Sequence, residues 1–104
     1  MKNKIIAIDF DGCLCTNEFP DIGTEISKTI KLVKEEQQRN GVRLILWTCR
    51  RDEALKAAVE WCARRGLHFD AINENLPDVI RAFGGDTRKI YADEYWDDRA
   101  VRVP

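Results

Sequence analysis

Two aspartates, Asp9 and Asp11, stand one residue apart directly after the apolar run Ile5-Ile6-Ala7-Ile8. With Phe10 between them turned into a core, both carboxylates can face one opening. A pair of hard oxygen ligands, completed by a distant acid, water and phosphate oxygens, suits Mg2+, which takes a few carboxylates and retains waters. Gly12 comes next and has no Cβ, so backbone amides there can approach a phosphate closely. The distant acid is sought in Asp97 and Asp98, with Asp93 as competitor. Asp97 is favoured, because Tyr95-Trp96 gives it an apolar strand lead-in. Thr48 ends a second apolar run, Leu44-Ile45-Leu46-Trp47, and is followed by Cys49, Arg50 and Arg51. These residues also have plainer readings. Asp11-Gly12 makes a turn, Thr48 can cap the next helix, and Lys89, beside Arg88, can be a solvated surface charge.

These side chains meet only if the intervening elements bring them together. Residues 4–8 form a short, continuously apolar and β-branched stretch, as expected of a central strand covered on both faces. Residues 24–39 carry Ile26, Ile30 and Val33 on one helical stripe and stop at Asn40-Gly41. Residues 42–47 repeat the buried-strand signature. Residues 52–65 make a second amphipathic helix, with Leu55, Ala58, Val59 and Cys62 inward and Gly66 as its stop. A third strand is expected over 67–72, an irregular segment with one helical turn begun by Pro77 over 73–88, and a last strand over 94–97. Alternating strands and helices predict a parallel sheet with helices on its faces. In such sheets ligands bind beyond the carboxyl ends of the strands, which is where Asp9, Asp11, Thr48, Asp97 and Asp98 fall.

The segment Asp9-Phe10-Asp11-Gly12-Cys13 resembles the first motif of the haloacid dehalogenase-like superfamily, Asp-x-Asp-Gly-Thr or Val after an apolar strand. Leu44 through Thr48 resembles its second motif, Lys89 its third and Trp96-Asp97-Asp98 its fourth, all in family order. The resemblance implies an α/β fold, a Rossmann-like three-layer α/β/α sandwich with a mostly parallel central sheet. It would be the minimal core of that superfamily without a cap domain, since neither the stretch after Asp11 nor the one after Thr48 has room for one. It also implies an Mg2+-dependent phosphatase that hydrolyses phosphomonoesters through an aspartyl-phosphate intermediate. On that pattern Asp9 would be the nucleophile and Asp11 the general acid and base. Thr48 would bond the phosphoryl oxygens, and Lys89 would neutralise their charge. Mg2+ would be held by Asp9, the backbone carbonyl of Asp11, and Asp97 or Asp98. Gly12, Cys13, Cys49 and Arg50 border the same crevice and are expected to contact substrate. Cys13 departs from the pattern, puts a thiol near the site and suggests oxidation sensitivity. Asp11 speaks against dehalogenation, because a halide leaves without a proton.

The 104 residues are expected to form one domain over 1–104, with 44% hydrophobic and 34% charged residues. A net charge of -1 offers no basic field for a nucleic-acid backbone, so nucleic acid is expected only as a phosphorylated substrate. The partner is a phosphorylated small molecule or an exposed phosphate on a larger one, with a homo-oligomer also possible. Asp9 interrupts the first apolar run after four residues, and no run approaches the ~20 residues of a membrane span. A cytoplasmic protein is expected. Two other functions stay open: a non-catalytic phosphate- or nucleotide-binding module of this fold, or a thiol-based metal or redox site using Cys13, Cys15 and Cys49.

Overall fold

The computed structural model describes residues 3–104, so the first two residues of the expected domain lie outside the described ones. Its elements run β1 (Lys4–Ile8), α1 (Ser27–Gln37), β2 (Val42–Leu46), α2 (Asp52–Arg64), β3 (Ala71–Ile72), α3 (Pro77–Phe83) and β4 (Glu94–Trp96). The four strands form one all-parallel sheet in the order β3-β2-β1-β4. This is an α/β, Rossmann-like fold. Among the described residues no helix is long and apolar enough to cross a membrane.

Strand alternation explains the layers. Ile6, Ile8, Leu44 and Leu46 point to one face, where they pack with Ile30 and Val33 of α1 and Ala58, Trp61 and Cys62 of α2. Ile5, Ala7, Ile45 and Ala71 point to the other and meet Leu76, Val79 and Ile90 around α3. Strands buried on both sides need the continuous apolar runs seen here. The chain therefore winds β1-α1-β2-α2-β3 on one side, then crosses by α3 on the opposite face to lay β4 beside β1. That reversal makes β1/β4 the topological switch point, the place where such sheets open a ligand crevice.

Register completes the placement. Ile8 is level with Leu46 on one side and Trp96 on the other. Asp9 N–H then donates to the Trp96 carbonyl at 3.0 Å, and Trp47 N–H to the Ile8 carbonyl at 2.9 Å. Asp9, Trp47 and Asp97 thus leave the sheet together at its carboxyl edge.

Beyond shifts of one or two residues at element ends, three elements differ from the sequence expectation, each for a local reason. Helix α1 begins at Ser27, because residues 24–26 pair instead with 14–16: Thr16 N–H bonds Thr24 O and Ile26 N–H bonds Leu14 O. Strand β3 shrinks to two residues, because the Asp70 carboxylate, not a backbone carbonyl, accepts the Leu44 N–H. His68, expected inside that strand, is exposed ahead of it. The segment after β3 is more regular than expected: Pro77 starts a two-turn helix, and Gly84 ends it in the left-handed conformation, φ +76°.

Candidate functional site

At the carboxyl edge, ligand oxygens of Asp9, Asp97 and Asp98 lie within 4.8 Å of one another. Gly12 makes this approach possible. It has φ +86°, and a Cβ built there would run into the Asp98 carboxylate. Glycine is thus favoured by conformation, and a Cβ there would push the Asp98 carboxylate aside.

Asp9 is half-buried, and the exposed Asp97 and Asp98 crowd their charge against it. Burial lifts the Asp9 carboxyl from 3.8 to about 6, and the negative charges of Asp97, Asp98 and Asp11 push the same way. The Phe10 N–H, donating to Asp9 Oδ1 at 2.8 Å, opposes the shift. All-oxygen donors with excess negative charge fit a hard divalent cation, which would relieve the repulsion. Asp93 is absent from this group. It sits at the amino end of β4, where its Oδ2 accepts the Ile5 N–H at 2.8 Å.

Beside the acids opens a crevice of about 450 Å3 lined by Asp9, Asp11, Asn17, Phe19, Thr48, Cys49, Arg50, Asp97 and Arg99. Thr48 is braced from both sides. Its N–H donates to Asn73 Oδ1 at 2.8 Å, and its Oγ1 accepts the Arg50 N–H at 3.1 Å. The hydroxyl proton remains free to donate to a bound oxygen. Asn73 holds φ +54° and Asp52 φ +53°, two left-handed residues that turn the chain on either side of this loop. Asn75, a second candidate after β3, is buried and ties Asp86, Thr87 and the Tyr91 N–H together, so it shapes the 86–91 segment instead of meeting the crevice.

The residues expected to contact substrate stand in different surroundings, with Cys49 and Arg50 on the crevice wall. Arg50 is not a free anion grip: its side chain is only 1% exposed, and it forms a bidentate pair with Asp11, both bonds 2.8 Å. The Asp11 carboxylate is thereby held apart from the three-acid group. Cys13 faces inward. Its Sγ lies 3.6 Å from the Trp96 carbonyl, and burial, reinforced by Asp9, pushes the thiol up to about 12. A thiol so rarely ionised is a poor oxidation target, against the expectation for it. Gly12 borders the acids but does not line the crevice. Cys15 is also buried, Cys49 is exposed at the crevice, and all four cysteines are free. Among the described residues no cysteine joins a potential metal-binding group. Lys89 is exposed, lies outside the crevice lining, and has its Nζ 5.9 Å from the Tyr95 ring centre.

Asn17, Phe19 and Arg99 went unrecognised in the sequence, because the paths of the loops carrying them have no periodic signature. The one available signal was the position of Arg99, two residues after Asp97.

A solved structure of a conserved protein coded by a locus of Bacteroides thetaiotaomicron is 41% identical to this chain. The match covers 99% of this chain and 83% of that one, with a TM-score of 0.84. The chain belongs to that protein's family. Identity at this level over nearly the whole length shows that the two share the fold. No family model and no curated protein matches the sequence.

Proposed function

We propose that this protein is an Mg2+-dependent phosphatase of the haloacid dehalogenase type, without a cap, acting on phosphomonoesters. The observation that carries this reading is the meeting of Asp9, Asp97 and Asp98 beside a crevice that also exposes Asp11 and Thr48. Asp9, Asp97 and Asp98 would hold the cation, with the Asp11 carbonyl as a further donor. Bound there, Mg2+ would supply charge neutralisation for a phosphate approaching an acidic site.

Asp9 would attack phosphorus, forming the Asp9 O–P bond as the ester O–P bond breaks. To give a proton to the departing alkoxide, Asp11 would first take one up and release one of its two Arg50 bonds; as the ionised partner of Arg50 it would then take a proton from the water that cleaves the aspartyl-phosphate. Thr48 would donate its hydroxyl proton to a phosphoryl oxygen. Arg99, on the crevice wall, offers the cationic partner that Lys89 was expected to be.

Hydrolysis of p-nitrophenyl phosphate with Mg2+ tests the proposal. Turnover by the intact chain that is abolished in Asp9→Asn supports it; phosphate binding by the folded chain with no turnover rejects it. That second outcome would favour a non-catalytic phosphate-binding module, a reading that the position of Lys89 outside the crevice keeps in play.

A further inference from the structure

Arg50 carries more bonds than a structural ion pair needs. Its Nε and Nη2 donate to the two Asp11 oxygens, Nη2 also to Asp21 O at 2.8 Å, and Nη1 to Pro20 O at 3.2 Å and Ala54 O at 3.4 Å. All five guanidinium N–H groups are thus committed. The group also lies between two rings, 5.0 Å from the centre of Phe10 and 5.1 Å from that of Phe19.

The loop it reaches is anchored at its end by Ile22, which packs against the core, whereas residues 17–21 are exposed. Thr16 and Thr24 close its neck through Thr16 N–H to Thr24 O and Thr24 N–H to Thr16 Oγ1. Among the described residues, the hydrogen bonds fastening residues 17–22 to the rest of the chain come from Arg50. One buried guanidinium thereby joins the loop that bears Asn17 and Phe19, the start of α2, and the Asp11 carboxylate.

We propose that Arg50 is a positioning residue: it fixes the orientation of Asp11 and latches residues 17–22 as a wall of the crevice, without binding phosphate itself. The effect on turnover rests on the phosphatase reading, whereas the latch does not. A lysine cannot replace the fork, because an ammonium presents a point charge that cannot align both carboxylate oxygens and reach two loop carbonyls.

Backbone 15N relaxation of the full chain, followed on the amides of residues 17–22, reads the latch in wild type, Arg50→Lys and the double variant Asp11→Asn/Arg50→Gln. The double variant leaves no unpaired buried charge and so protects against simple misfolding. The order parameters of 17–22 are expected to fall from the rigid-backbone value of about 0.85 to below about 0.6 in both variants, while β1 and β2 stay rigid. Unchanged order parameters in 17–22 overturn the proposal, whether or not the wild type hydrolyses anything. With p-nitrophenyl phosphate and Mg2+, Arg50→Lys should lose on the order of 10²-fold in kcat with KM little changed. Methylguanidine should restore part of the rate to Arg50→Ala. A raised KM with kcat intact would instead make Arg50 a substrate grip and reject the assignment. Failure of the wild type to turn over would sink the phosphatase reading and leave the 15N relaxation to decide the latch.

Discussion

The amide of Asp9 donates to the carbonyl of Trp96, and this bond at the end of β4 sets Asp9 beside Asp97 across the switch point of the sheet. The acids therefore converge through backbone register and need no side-chain contact to bring them together. Each strand residue advances the chain by about 3.3 Å, so a shift of two residues would draw the carboxylates some ~7 Å apart.

Cation binding should depend on each of the three acids. Removing one charge by Asp97→Asn or Asp98→Asn should weaken Mg2+ affinity at least tenfold by isothermal titration, and Asp93→Asn should leave it within about twofold. Asp93 bonds the Ile5 amide at the far end of β4, so its loss should register in thermal stability instead. Equal Mg2+ affinity in all three variants would refute the site.

Asp9 should make the metal-free protein sensitive to pH. Its folded value, about 6, lies above the ordinary 3.8, so the protonated form is favoured by folding. The contribution is fully present below pH 4 and is lost as the pH rises through 6. Asp78 and Glu94, held low by Arg43 and Trp96 respectively, act with opposite sign at more acid pH. The comparison is therefore made against Asp9→Asn, which cannot ionise. In chelator, the Tm of the variant minus that of wild type should grow by roughly 5 °C between pH 4 and pH 7.5. Saturating Mg2+ should shrink that difference, and the Mg2+-induced Tm gain of wild type should increase through pH 6 as the competing proton leaves. A flat difference across the range would contradict the crowding.

Gly12→Ala should damage the site more than the fold. The new methyl meets the Asp98 carboxylate, and φ +86° disfavours any L side chain. Displacing Asp98 should lower Mg2+ affinity by tenfold or more, whereas circular dichroism should remain that of the wild type. Gly85→Ala provides the control, since nothing lies within 4 Å of a Cβ there. Equal affinity in the two variants would mean Asp98 is not held by Gly12.

Much of this arrangement can be read from residue types alone, and the exceptions have physical causes. β1 and β2 announce themselves because strands covered on both faces must be apolar throughout, as Ile5 to Ile8 and Leu44 to Leu46 are. Parallel strands then carry whatever follows them to one edge, which is why Asp9, Thr48, Asp97 and Asp98 could be grouped in advance. The Arg50–Asp11 pair could not be. Its partners are 39 residues apart on separate loops, and no periodicity links them. Nor was the length of β3 legible, because there a side chain takes over a backbone acceptor's task at Asp70.

Thiol chemistry should follow exposure and ignore the Cys13-x-Cys15 spacing. Cys13, Cys15 and Cys62 are buried, and burial raises all three thiols, Cys13 and Cys62 to about 12. Cys49 alone is exposed, on the crevice wall. Iodoacetamide at pH 8 should add one adduct to the native protein and four in denaturant, as counted by intact mass, with peptide mapping assigning the single site to Cys49. Because Cys49 borders Thr48, its adduct would project into the crevice. Inorganic phosphate with Mg2+ should therefore slow the modification, and Cys49→Ser should abolish native labelling. Rapid labelling of Cys13 or Cys15 would instead show that the packing behind Gly12 opens in solution.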